Sequence, residues 1–134
     1  SSTWIDFLVQ AVRKLYVVDN VEVVEGDAAE LAHSDLYRGA FDGVFCRSFG
    51  APSTTAECAI GFLGGTGCLV VSEPPEVSPQ RWPLKSLQAL GFAGADIIDG
   101  PPRFAKLDVA TPPGTDVPRT LKQIIKKPLF SGFR

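Results

Sequence analysis

The chain has little of what most catalytic chemistries require. Its 134 residues include one histidine, three cysteines and no methionine. A zinc site needs closely paired ligands, and Cys46, Cys58 and Cys68 have no CxxC spacing. Their odd number, with Cys46 and Cys68 inside apolar runs, predicts reduced, buried thiols in a cytoplasmic protein. His33 lies in a polar stretch and reads as a solvated side chain. No apolar run approaches the ~18 residues that span a membrane, so no membrane partner is expected. No secretory leader is visible. Ser48 and His33 alone make no triad, and Ser53, Thr54 and Thr55 read as helix caps. Glu73 and Glu76 flank a proline-rich loop without support as a glycosidase pair. Hydrolase chemistry is therefore set aside. A nicotinamide dehydrogenase is disfavoured as well, because no GxGxxG follows a strand.

Charge is unevenly distributed along the chain. Residues 119–134 carry Arg119, Lys122, Lys126, Lys127 and Arg134 with no acid. Residues 1–31 carry Asp6, Asp19, Glu22, Glu25, Asp27 and Glu30 against Arg13 and Lys14. The net charge of −2 thus conceals a basic tail on an acidic body.

What is present suits one domain with a real core: 45% hydrophobic and 21% charged residues. Trp4, Ile5, Leu8, Val12 and Leu15 fall at helical spacing and predict a helix over 3–16 with one apolar face against a sheet. Residues 21–26, 41–46 and 68–72 read as buried strands. A helical turn is expected near residues 28–31. Thr54 and Glu57 match a capping box that opens a helix reaching about residue 62. Gly64, Gly65 and Gly67 read as a turn into the strand at 68–72. Pro83 can start a further helix at its first turn, and Gly91 followed by Phe92 is a common helix stop. Residues 95–98 and 103–109 are expected to form an antiparallel pair. Residues 110–118 read as irregular, and 120–127 as a short helix stopped by Pro128.

This alternation predicts an open α/β sheet, mostly parallel, with an antiparallel strand pair towards the C-terminus. Ligands of such sheets bind beyond the carboxyl ends of the strands. The cluster Gly61, Gly64, Gly65, Gly67 stands in the order helix, glycines, strand, the reverse of a phosphate cradle. Two strand ends are better placed. Asp27 and Ala28 follow residues 21–26, where an acid or a backbone N–H can meet an adenine; a simple helix cap is the plain alternative. Arg47 and Ser48 follow residues 41–46. A guanidinium there can bind phosphate or stack on a base, with a surface ion pair as the alternative.

Several of these stretches resemble the bacterial 16S rRNA guanine-N7 methyltransferases of the RsmG (GidB) type. Phe7-Leu8 with Asn20-Val21-Glu22-Val23 is similar to that family's helix and third strand. Phe41-Asp42-x-Val44-x-x-Arg47-Ser48 resembles its fourth-strand motif, and Gly65-x-Gly67-x-Leu69 its turn into the fifth strand. Pro118-Arg119, Lys126 and Pro128-Leu129 look like its terminal pattern, the most specific part. The resemblance covers nearly the whole chain, but not the whole family. Ser1 corresponds to a position just after the second strand, so the first strand and its glycine-rich S-adenosylmethionine loop have no counterpart. Asp27 stands where the family usually has arginine, and Ala29 where it has glutamate; Lys122 and Ile124 replace a glycine and a proline.

The resemblance implies a truncated Rossmann-like class I methyltransferase sheet, a single partial domain over 1–134 with an irregular basic segment at 110–134. The full sheet would have the strand order 3-2-1-4-5-7-6. The implied activity is S-adenosylmethionine-dependent methylation of guanine N7 in small-subunit rRNA. Arg47 would orient the guanine or a phosphate, and Ser48 would let the base approach. Asp27 and Ala28 would meet the cofactor's adenine. Lys106, Arg119, Lys122, Lys126 and Lys127 would contact RNA phosphates. Lacking two strands, such a chain is expected to be inactive alone, with open edges covered by direct pairing or by a second copy. The competing expectation is a non-catalytic RNA-binding or assembly module on a degenerate methyltransferase fold.

Overall fold

The computed structural model describes residues 20–131 except 48, 77 and 79. The helix expected at 3–16 therefore lies outside the described residues, as does Ser48. Four helices are described: α1 (Ala28–Leu31), α2 (Pro52–Ile60), α3 (Leu84–Leu90) and α4 (Leu121–Lys126). The strands are β1 (Phe41–Cys46), β2 (Leu63–Ser72), β3 (Asp96–Ile98) and β4 (Phe104–Asp108), in the chain order α1-β1-α2-β2-α3-β3-β4-α4.

The strands form one mixed sheet in the order β1-β2-β4-β3. β1 and β2 run parallel, while β4 is antiparallel to both β2 and β3. The antiparallel pair expected from residues 95–98 and 103–109 is therefore present. The expected strand at 21–26 is not: residues 21–25 have no regular structure, and Val21 and Val24 are exposed. A strand persists only where a neighbour takes its N–H and C=O groups. Among the described residues none does so here, and β1 is left at the sheet edge.

The glycines at 64–67 also behave differently from the expected turn. β2 already begins at Leu63, which pairs with Phe41, and the next aligned pair is Gly43 with Cys68. Residues between these pairs bulge out of the ladder, with Gly65 and Thr66 exposed.

One face of the sheet carries the core. Leu69 and Val71 of β2 and Ala105 and Leu107 of β4 meet Ala56 and Ile60 of α2, Leu87 and Leu90 of α3, Trp82 and Phe92. Val44 and Cys46 of β1 pack against the same cluster. By the two-residue period of a strand, Phe41 and Phe45 share the opposite face, and Phe45 is 79% exposed. α3 stops as its sequence suggests: Gly91 takes φ +119°, and its N–H bonds the carbonyls of Leu87 and Gln88.

α2 starts earlier than expected. Pro52 occupies its first turn, Ala51 is the cap residue, and the cap makes no side-chain hydrogen bond. Thr54 and Glu57 do not form a capping box, because Glu57 is turned into the interior.

Residues 114–130 are tied across the domain at several points. Arg38 donates through Nη1 to the carbonyls of Val117 and Ala32, and through Nη2 to Gly114 O at 3.0 Å. His33, expected to be solvated, has Nε2 2.6 Å from Pro118 O. The Ser53 hydroxyl accepts from Leu129 N at 3.1 Å and Phe130 N at 3.4 Å, and Phe130 is buried near Trp82. Close packing requires glycine at position 61. A Cβ there would stand 2.8 Å from Ala32 Cβ and 2.9 Å from Pro118 Cδ.

Candidate functional site

β1 and β2 are parallel neighbours, so their carboxyl ends open on the same side of the sheet. Beyond them lies a cleft of about 480 Å³. Cys46 and Arg47 enter it from the end of β1, Val71 and Ser72 from the end of β2, and Glu73 from the residue that follows. Phe49 and Arg81 complete the part that matters chemically. Arg47 is exposed and Phe49 is 45% exposed, so a cation and an aromatic face are both open to a ligand.

The other side of the cleft is a buried polar cluster. The Glu73 carboxylate accepts from Arg81 Nε at one oxygen and from Trp82 Nε1 at the other. Its backbone N–H donates to Arg103 O at 2.9 Å, which fixes the chain as it leaves β2. The Arg81 guanidinium carbon lies 5.8 Å from the Trp82 ring centroid. Cys46 lines the cleft, but burial pushes its thiol up, away from the thiolate that a nucleophile needs. Cys58 is pushed up to about 12, by burial first and then by the charges of Glu57 and Asp27. Both cysteines therefore read as packing groups. Among the described residues no group of three or more His, Cys, Asp or Glu side chains could hold a metal ion. No described helix is long and apolar enough to cross a membrane.

The remaining sequence-derived residues are spread over other surfaces. Asp27 caps α1, accepting from Ala29 N at 2.8 Å and Glu30 N at 3.2 Å. The cap alternative is thus realised, while the carboxylate retains acceptor capacity beyond these two bonds. Asp27 and Ala28 do not line the cleft that Arg47 enters. Lys106 lies on β4 and pairs with Asp108 at 3.5 Å. Lys122, Lys126 and Lys127 are exposed on α4 and at its C-terminal cap.

Arg119 is held inside the domain. Its Nη2 lies 2.8 Å from Glu57 Oε1, its Nε 3.1 Å and its backbone N 2.8 Å from Glu57 Oε2. Nη1 donates to Lys127 O at 3.0 Å. The hydrogen bond to Glu57 raises the Arg119 pKa, against a lowering by burial. The basic helix α4 is capped reciprocally, with Gln123 N donating to Thr120 Oγ1 at 3.2 Å and Thr120 N to Gln123 Oε1 at 3.1 Å. Ile124 is buried with Ala29 and Cys58, so α4 is anchored on α1 and α2 while its lysines stay outward.

Sequence reasoning found Arg47 but missed its neighbours. Arg81 and Trp82 carry no local signal beyond preceding Pro83, and Glu73 reads only as a loop residue.

No family model matches the chain. The chain is similar to ribosomal RNA small subunit methyltransferase G of Lactobacillus helveticus (strain DPC 4571), with 31% identity over 121 residues. That match covers 90% of this chain and 46% of the relative, so the chain spans about half the length of the curated relative it matches. The similarity supports a distant relationship to this group of rRNA methyltransferases.

Proposed function

We propose that this chain carries the substrate side of an S-adenosylmethionine-dependent methyltransferase acting on guanine N7 of small-subunit rRNA. The observation that carries the reading is the cleft beyond the carboxyl ends of β1 and β2, with Arg47 and Phe49 open to a planar base. The order β1-β2-β4-β3, with β4 antiparallel, agrees with strands four, five, seven and six of the sheet that the resemblance implies. The similarity to an rRNA methyltransferase supports the substrate class.

Guanine N7 offers a lone pair and carries no proton. Its methylation needs alignment rather than a general base. The cofactor supplies an electrophilic methyl group on sulfur. Arg47 then orients the guanine or its phosphate, Phe49 stacks on the ring, and Ser48, outside the described residues, lets the base approach. Asp27 and Ala28 hold the adenosine of the cofactor. Lys106, Lys122, Lys126 and Lys127 contact RNA phosphates, a sequence-independent and salt-sensitive contribution. Arg119 joins them chiefly through the helix it anchors, since its guanidinium bonds Glu57 and Lys127 O.

Protein produced from its complete gene is expected to transfer a labelled methyl group from S-adenosylmethionine to small-subunit rRNA. Cleavage with aniline at 7-methylguanine locates the product. Absence of label, or label at another base atom, overturns the reading.

A further inference from the structure

We infer that Glu73 is the group that selects guanine in the cleft, a step that rests on the methyltransferase reading above. The Glu73 side chain is only 3% exposed, yet it lines the cleft. A buried ion pair is poor value for stability, since well-packed apolar residues of similar volume often do as well or better. Its place against an open cleft directs attention to recognition. Arg81 Nε and Trp82 Nε1 each donate to one carboxylate oxygen, and the main chain is held by Arg103 O. A carboxylate has about four lone-pair sites. Among the described residues two are used to fix its orientation, and each oxygen keeps a lone pair that can accept again.

Two adjacent acceptors select a base edge with two adjacent N–H donors. Guanine offers N1–H beside its 2-amino group. Adenine and cytosine each set a ring-nitrogen lone pair beside their amino group, which a carboxylate repels. Uracil has one N–H between two carbonyls. Held by its N1 and 2-amino edge, guanine turns its imidazole side, with N7, away from Glu73 and towards the open part of the cleft. The edge that Glu73 reads is thus the one that the methylation does not use.

Trp82 makes the inference measurable, because its indole bonds the carboxylate in question. Trp4→Phe leaves Trp82 as the single tryptophan of a chain that has two. Titration of that variant of the 134-residue chain with GMP, IMP and AMP, followed by Trp82 fluorescence, is expected to rank affinity GMP > IMP > AMP. The GMP preference over AMP should be about 10- to 100-fold, the worth of a hydrogen bond to a charged group. Glu73→Gln is expected to bring that ratio close to one. The ranking in the unsubstituted site stands even where Glu73→Gln fails to fold. Equal affinity for GMP and AMP, no response to any nucleotide, or an unchanged ratio in folded Glu73→Gln overturns the inference. Methyl transfer to guanine N7 alongside equal affinities would remove Glu73 from its role and leave the reaction class standing. A clear GMP preference without methyl transfer would do the reverse.

Discussion

Arg119→Ala is expected to cost the fold about 3 kcal/mol, the lower end of the range for breaking a buried ion pair. The asymmetry of the pair sets this size. Glu57 is 1% exposed in the side chain, whereas Arg119 is 27% exposed. Truncating the arginine removes the Nε and Nη2 donors and leaves a carboxylate in the interior with the backbone N–H of residue 119 as its remaining donor among the described residues. The opening left by the lost side chain gives water partial access, which keeps the cost from the upper end. Glu57→Leu combined with Arg119→Leu is expected to recover part of the loss, because two apolar groups have no charge to desolvate. Recovery stays incomplete, since the Arg119 N–H would then lack its acceptor, at a cost of about 1–3 kcal/mol. Urea unfolding of the two variants and the parent checks this. A change below about 1 kcal/mol for Arg119→Ala, the size expected of a surface pair, would contradict it.

Arg47→Ala is expected to lower kcat/KM for rRNA methylation about 100-fold, with little change in stability. The side chain is exposed and lines the cleft, so its loss removes orientation rather than packing. Arg47→Lys should recover only part of the rate, because an ammonium keeps the charge and loses the planar fork that fixes a base or phosphate in one plane. Single-turnover methylation at saturating RNA separates this from weaker binding. An effect confined to RNA affinity and relieved at low salt would make Arg47 a phosphate contact alone.

The parts of the fold that were legible in the sequence are those set by local chemistry. The left-handed stop at Gly91 and the short helix before Pro128 each depend on neighbours within a few residues. The misreadings share the opposite property. Thr54 and Glu57 have the spacing of a capping box, but Glu57 bonds Arg119, 62 positions away in sequence. Val21, Val23 and Val24 have the composition of a strand, but composition cannot supply the ladder neighbour. Glycines 64, 65 and 67 suggest a turn because a bulge within a strand uses the same residues.

The candidate site divides in the same way. Arg47 was legible because it directly follows an apolar strand, where α/β sheets place their ligands. Glu73, Arg81 and Trp82 were not, because their meaning lies in mutual hydrogen bonds across a proline-rich loop. The basic character of residues 119–127 was plain from charge alone. That Arg119 is an anchor and the lysines are the outward groups required the buried partner to be seen.

The central claim is that the cleft beyond β1 and β2 receives the target base. Small-subunit rRNA carrying photoactivatable 6-thioguanine, cross-linked to the complete gene product and mapped by peptide mass, tests it most directly. Cross-links at Arg47, Phe49 or the residues from Ser72 to Pro74 are the predicted result. Cross-links confined to α4 and its lysines, with none at the cleft, would contradict it.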